Sequence, residues 1–290
     1  MAEAADWCTA PRIRGQAAVG TRRLANVRQV AILERFSLEG RIALVTGASR
    51  GIGAAIARAY AEAGASLALT ARDEAALGRV ATGLVELGTS AIAVATDMDD
   101  VDGYDRLVER VVGELGGIDV LVNNVGGSPP RPFLETSPRS FEKAFHFNVT
   151  TAFELTRRAT PHLLARNGNV INVSSAIGRF AARGSAAYGT AKAALNHLTR
   201  MLAADLAPRV RVNAIAPGAI DTAALGTVLD EPTRARMVAA TPLRRLGEPA
   251  DIAAAALWLA SDAGGYVTGK VIEVDGGIQV SNLRRDLPDL

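Results

Sequence analysis

Residues 42–60 read IALVTGASRGIGAAIARAY. A four-residue apolar run, IALV, passes into TGASRGIG (46–53) and then into small residues at helical spacing from Ala54 to Ala63. Strand, glycine turn and helix in that order form the opening unit of a doubly wound sheet, whose ligands sit at the carboxyl ends of the strands. Glycines in such a turn let backbone N–H groups approach a pyrophosphate, and the helix N-terminus favours the anion. The spacing is Gly47-x3-Gly51-x-Gly53, not the commoner G-x-G-x-x-G, and tight βα turns also use glycine for geometry alone. Its place after the first strand points to a nucleotide, with Gly47, Ser49, Arg50, Gly51, Ile52 and Gly53 as the phosphate loop.

Outward from this unit the pattern repeats. Further apolar runs are LALT (67–70), AIAVAT (91–96), IDVLV (118–122), NVINV (169–173), VRVNAI (210–215) and KVIEV (270–274). Helical spacing fills the intervals, as in Asp73–Leu87 and Tyr104–Leu115. Strands alternating with helices imply βαβ crossovers. The fold expected is a single doubly wound α/β domain over residues 37–290, of Rossmann type. It has a seven-stranded parallel sheet with helices on both faces.

Composition narrows the function classes. Of 290 residues, 49% are hydrophobic and only 4% aromatic, which suits helices packed on a sheet better than a stacking platform for nucleic acid. The net charge of +2 argues for neither a nucleic-acid nor a membrane partner. Residues 1–36 carry a net +3, leaving −1 for the remainder. That stretch shows no sustained period and reads as a flexible arm outside the chemistry, with a transit peptide or an upstream start codon as alternatives. Cys8 is the only cysteine, which excludes an intrachain disulfide, and the three histidines lack metal-ligand spacing. No metal is expected. No apolar run reaches the ~18–20 residues that span a bilayer, and a reducing cytoplasm is the default location.

The second strand bears on the dinucleotide. An NAD site usually places an acid at the end of that strand to bond the ribose 2′-hydroxyl. Here the strand ends LALTAR, with Arg72 at its tip, Asp73 following and Arg50 in the glycine loop. Two guanidiniums suit a 2′-phosphate, so NADP is favoured and NAD stays possible. The alternative has Arg72 merely solvated and Asp73 taking the hydroxyls.

In AAYGTAKAAL (186–195), Tyr188 and Lys192 stand four apart and so share a helix face. A free phenol titrates near ~10; a neighbouring cation lowers that value toward the useful range for acid–base catalysis. VINVSS (170–175) is an apolar strand ending in two hydroxyls, thirteen residues before Tyr188 in the case of Ser175. Ser175 could bond a carbonyl oxygen beside the tyrosine, while Ser174 faces the neighbouring strand.

Together TGASRGIG, NNVG (123–126), the serine strand, Tyr188-Gly-Thr-Ala-Lys192 and APG (216–218) resemble the short-chain dehydrogenase/reductase family, in order and spacing, over about residues 38–280. The resemblance implies hydride transfer between NADP(H) and a carbonyl or secondary alcohol. Tyr188 would be the proton donor or acceptor and Ser175 would hold the substrate oxygen. Lys192 would hold the nicotinamide ribose and lower the tyrosine pKa. Asn148, in FNVTTAF, would support a water-linked proton path to the lysine. Asp97 would bond the adenine amino group with Met98 beside it. Asn124 and Gly126 would line the cofactor, and Pro217, Gly218, Ile220 and Thr222 would close on it. Val125 departs from the family's usual alanine.

Substrate identity is expected to lie in residues 219–249, a mobile lid, and in NNVGGSPPRPF (123–133) as another wall. Both look like bacterial hydroxysteroid dehydrogenases of the 7α-acting type, and less closely like 3-oxoacyl-carrier reductases. That leans toward a bulky alicyclic or steroid-like ketone or alcohol. Residues 258–277 resemble an interface segment of the family's homotetramers, so a homo-oligomer, a tetramer by preference, is the expected assembly. A non-catalytic nucleotide-binding scaffold or regulator is the rival class, against which Ser175, Tyr188 and Lys192 all being present counts. Trp258 is expected in the core of a late helix.

Overall fold

Each apolar run forms a strand. In the computed structural model, β1 (Ile42–Thr46), β2 (Ser66–Ala71), β3 (Ala91–Ala95), β4 (Val120–Asn123), β5 (Asn169–Val173), β6 (Arg211–Pro217) and β7 (Val271–Val274) make one sheet. The order is 3-2-1-4-5-6-7 with every neighbouring pair parallel. The residues described are 31–226, 230–283 and 287.

Unbroken apolar runs suit strands buried on both faces. Period two then divides each run between two cores. Val45, Leu67, Leu69, Val122 and Ile171 pack with Ile56 and Tyr60 of α1 (Gly51–Glu62), Leu77 of α2 (Glu74–Val85) and Ile252 and Leu259 of α9 (Pro249–Ala260). Their neighbours Leu44, Ala68, Leu121 and Val170 turn the other way. They meet Leu107 and Val111 of α3 (Tyr104–Leu115), Leu155 and Leu163 of α5 (Thr151–Arg166) and Ala203 of α6 (Ala186–Leu206). α4 (Pro138–Phe145) runs into α5 through a π turn at His146–Thr150. After β6 come α7 (Ala223–Gly226) and α8 (Glu231–Ala240). Trp258 is half-buried against the first core and donates from its indole to the Ala263 carbonyl at 3.2 Å.

Because β2 lies on one side of β1 and β4 on the other, the winding reverses between β1 and β4. A crevice opens there at the carboxyl ends, and all the chemistry-bearing motifs converge on it.

The compact unit begins at Ile32. Residues 32–36 thus belong to it and not to the arm: Glu34–Phe36 is a short 3-10 turn, and Arg35 donates to the Asp262 carbonyl at 2.8 Å. The expectation for residues 1–30 lies outside the described residues. No helix among the described residues is long and apolar enough to cross a membrane.

The opposite end of the sheet is held by a buried carboxylate that sequence reading did not single out. Asp119 accepts from the Ile42 N–H at 2.9 Å, from Arg41 at 3.3 Å and from Arg166 at 2.8 Å. Removing it leaves the buried Ile42 N–H without a partner and takes one contact from each of two half-exposed guanidiniums, so Asp119→Ala should cost about 2 kcal/mol. A urea denaturation followed by circular dichroism reads this, and an unchanged midpoint would show that the cluster contributes nothing net.

Candidate active site

The glycine turn is shaped by its neighbours. Thr46, the last residue of β1, donates from Oγ1 to the Val122 carbonyl (3.1 Å) and accepts from the N–H groups of Asn124 (2.9 Å) and Val125 (3.2 Å). Asn124 Nδ2 donates to the carbonyls of Thr46 (2.9 Å) and Gly47 (3.2 Å). Gly47 has φ +64° and Gly51 φ +59°, a backbone region natural to glycine. A Cβ on Gly53 would fall 2.3 Å from the Gly47 carbonyl, so this glycine lets α1 close on the turn. α1 has no side-chain cap at its start. Its first N–H groups have no intrahelical partner, which fits a pyrophosphate.

Beside the turn is a cleft of about 810 Å³ lined by Gly47, Ser49, Arg50, Gly51, Ile52, Arg72, Asp97, Met98, Asn124, Gly126 and Thr222, all expected at the cofactor. Ala71, Asp73, Val125 and Phe147 line it too. Asp73 caps α2, accepting from the Ala76 N–H at 2.9 Å, while Arg50 and Arg72 are exposed at the rim. Asp97 accepts from the Asp99 N–H at 3.1 Å. Met98 sends its side chain into the core, and its carbonyl takes the Tyr104 hydroxyl at 2.6 Å. Six expected contacts do not line the cleft, Tyr188 and Lys192 among them. Gly53 packs within the turn, Pro217 ends β6, and Gly218 would carry a Cβ 2.7 Å from Asp275 Cα. Ile220 is buried and bridged to Gly247. The cleft as a whole is of a size and chemistry that fits a dinucleotide.

The catalytic candidates come together at the end of β5. Ser175 and Tyr188 are hydrogen-bonded through their side chains. Lys192 is 2% exposed, its Nζ donates to the Val173 carbonyl at 2.9 Å, and it lies 5.8 Å from the Tyr188 ring centre. Asn148 is also buried: its amide donates to the carbonyls of Gly127 (2.9 Å) and Ala144 (2.7 Å) and accepts from the Gly127 N–H (2.9 Å). A Cβ at Gly126 would meet Asn148 Oδ1 at 2.6 Å and Lys192 Nζ at 2.8 Å, so one glycine seats both groups. Ser174 turns away: its N–H pairs with Ile215 of β6 (2.7 Å), and its hydroxyl donates to the Lys192 carbonyl (3.2 Å).

The electrostatics correct one expectation. Burial raises the Tyr188 pKa above its ordinary value, and the influence that lowers it is the Ser175 hydrogen bond, not the ammonium. Burial brings Lys192 itself down to about 7. The cation meant to hold a phenolate is desolvated with it, and near neutrality it carries only part of its charge.

Tyr188 also lines a second cavity of about 440 Å³, walled by Gly127–Pro129, Arg131, Thr136, one face of α4, Phe147, Gly184 and Ala187. The expected wall at 123–133 is therefore present. None of the described residues of 219–249 lines this cavity; Thr222 and Ala223 line the cofactor cleft. That excursion is pinched at its base, where Asp221 N donates to Gly247 O at 2.7 Å and Gly247 N to Ala219 O at 2.9 Å.

Sequence reading missed the braces. Thr46 is one, and the buried chain from Thr156 through Asn123 and Asn172 to Thr199 is another (3.1, 2.9 and 3.0 Å). The third is Arg179, just after the Ser175 turn, which bonds Glu273 (3.1 Å), Asp275 (3.0 Å) and Gln279 (3.1 Å). Polar residues at strand ends were the available signal for the first two. Nothing local marks Arg179.

A hydroxyl pair and a buried lysine beside a dinucleotide cleft define an oxidoreductase of the nicotinamide type. A family model described as enoyl-(acyl carrier protein) reductase matches residues 47–279. The chain belongs to the short-chain dehydrogenase/reductase family and acts on alcohol or ketone groups. It is 52% identical over 262 residues to an uncharacterized oxidoreductase of Mycobacterium tuberculosis (strain CDC 1551 / Oshkosh), covering 89% of this chain and 100% of that one. To the 7α-hydroxysteroid dehydrogenase of Escherichia coli K12 it is 37% identical, over 84% of this chain and 96% of that one. A 3-oxoacyl-[acyl-carrier-protein] reductase of Vibrio cholerae (serotype O1) shares 35%, over 84% and 99%. A solved 7α-hydroxysteroid dehydrogenase complexed with NADH and 7-oxo glycochenodeoxycholic acid superposes with a TM-score of 0.84 at 36% identity, over 87% of this chain and 99% of that one. A putative gluconate 5-dehydrogenase from Beutenbergia cavernae with bound NADP superposes at 0.78 and 39% identity, over 84% and 98%.

Two outcomes test the geometry. Gly126→Ala should displace the Lys192 ammonium or the Asn148 amide and lower kcat/KM by about 100-fold, with far-UV circular dichroism unchanged; undiminished turnover would mean that a methyl group is accommodated. Because Lys192 titrates near 7 in the folded chain and near 10.5 when unfolded, the unfolded state holds more protons between those values. Stability should therefore rise with pH from about 7 toward 10. Lys192→Met should flatten that rise in urea midpoints measured without dinucleotide, and an equal slope in both proteins would contradict the buried lysine.

Proposed function

We propose that the protein reduces a bulky alicyclic or steroid-like ketone, or oxidises the corresponding secondary alcohol, with NADP(H). The observation that carries this reading is Tyr188, hydrogen-bonded to Ser175, on the wall of a 440 Å³ cavity that shares Arg72, Asp97 and Phe147 with the dinucleotide cleft. The nicotinamide supplies hydride transfer to or from the carbinol carbon. Ser175 and Tyr188 donate to the carbonyl oxygen as it gains charge, and Tyr188 delivers the proton. Burial raises the Tyr188 pKa and the Ser175 hydrogen bond opposes that rise; the same hydroxyl donates the proton in reduction and receives it in oxidation. Lys192 binds the ribose hydroxyls of the dinucleotide and is seated for it by Gly126. Asn148 positions the Gly127 backbone and supports proton return to the lysine.

Preference for NADP rests on Arg50 and Arg72 at the cleft rim and on Asp73 being engaged as the α2 cap. The bulky substrate is supported by the cavity volume, which falls in the ~300–1,000 Å³ range of small-molecule sites, and by likeness to a 7α-hydroxysteroid dehydrogenase complexed with 7-oxo glycochenodeoxycholic acid. A 3-oxoacyl-carrier thioester is the second reading, supported by the 35% relative. A homo-oligomer is supported by exposed Phe141, Phe145, Phe153 and Met201 on α4, α5 and α6.

Tyr188→Phe should lower kcat by about 10²- to 10⁴-fold while NADPH binding, followed by fluorescence, persists. A panel of cyclic, steroid and acyl ketones assayed with NADPH and NADH in parallel identifies substrate class and cofactor. Full turnover by Tyr188→Phe would remove the tyrosine from the mechanism.

A further inference from the structure

The Tyr188 cavity carries charge that the proposed reaction leaves unused. Its wall includes three cations, Arg72, Arg131 and Lys143, and two acids, Asp97 and Asp99. Asp97 accepts from the Asp99 N–H at 3.1 Å and also lines the cofactor cleft, while Asp99 Oδ1 is buried without a hydrogen-bond partner among the described residues, His146 Nε2 pairing with the Asp99 carbonyl at 3.0 Å. Arg72 lines the cofactor cleft as well, where the 2′-phosphate accounts for it. Arg131 and Lys143 line the Tyr188 cavity and not the cleft. Neither side chain has a hydrogen-bond or ion-pair partner among the described residues.

Their placement is structural. Ser140, Lys143, Ala144 and Phe147 follow at i, i+3, i+4 and i+7, so one face of α4 and the turn after it forms a wall of the cavity. The Arg131 N–H donates to the Gly184 carbonyl at 2.9 Å, fixing that loop to the segment that leads into Tyr188. A guanidinium and an ammonium are thereby presented on two walls of one cavity, with a polar hydroxyl, Ser140, and apolar surface from Ala144 and Phe147 between them. Such a set takes a largely apolar molecule with one anionic end.

We infer that the substrate carries an anionic group, a carboxylate or an equivalent oxyanion, remote from its carbonyl and received by Arg131 and Lys143. The inference rests on the ketone or alcohol reading above and adds the substrate's charge to it. Two charge-assisted contacts at an exposed rim amount to about a five- to tenfold preference for the anion over a neutral isostere.

The test compares 6-oxodecalin-2-carboxylate with its primary carboxamide, as substrates of the wild-type chain and of Arg131→Met/Lys143→Met. Calorimetric binding of the same pair to Tyr188→Phe saturated with NADP⁺ runs alongside. The expected result is a five- to tenfold higher kcat/KM and tighter binding for the acid. In the double variant that preference is lost through KM, while the KM for NADPH is unchanged. Equal handling of acid and amide by the wild-type chain overturns the inference and leaves the ketone reading intact. Tighter binding of the acid without turnover sustains the anion site and overturns the ketone reading. A raised KM for NADPH with the acid preference retained assigns the two cations to the cofactor and overturns the inference.

Discussion

A buried ammonium is the constraint on which the site depends. Lys192 sits 2% exposed with its Nζ on the Val173 carbonyl, at a position that Gly126 leaves open only by lacking a side chain. Burying a charged amine is unfavourable unless polar groups receive it, and the cost appears as a pKa brought down to about 7. The same burial raises Tyr188. The two groups are therefore tuned by desolvation more than by one another, and the Ser175 hydroxyl is the protein's own means of easing the phenol.

The remaining architecture holds this arrangement still. Three separate chain reversals meet at the carboxyl ends of β1, β4 and β5, and each is braced by a side chain from a neighbour. Thr46 ties β1 to β4 through Val122, Asn124 and Val125. Asn148 holds Gly127 by both its N–H and its carbonyl. Arg179 fastens the segment after Ser175 to residues 273–279, against which Gly218 also packs. The serine turn and the start of the excursion after β6 thus share one support. Catalytic geometry must hold to within about 0.5 Å, and hydrogen bonds between turns achieve this where loops alone would not.

Much of the fold was legible because strands buried on both faces are written as unbroken apolar runs. IALV, NVINV and the five others each became a strand within a residue or two of their expected limits. The site was legible where chemistry is local: Tyr188 and Lys192 share a helix face by spacing alone. Legibility failed where partners are distant in the chain. Asp119 and its two arginines, Arg179 and its carboxylates, and the asparagine chain through Asn123 and Asn172 depend on contacts across 27 to 100 residues. Residues 32–36 were misplaced in the arm because a single 3-10 turn leaves no periodic trace.

The amino-acid sequence by itself determined the doubly wound sheet, the glycine turn after its first strand, and the tyrosine–lysine pair on one helix. Periodicity and short-range spacing express these directly. The tertiary structure alone decided which cavity Tyr188 faces, and that residues of 127–131 wall it with none of the described residues of 219–249. It also decided that burial, not the neighbouring cation, governs the acidity of the phenol. Desolvation is a property of everything packed around a group, and no stretch of sequence encodes it alone.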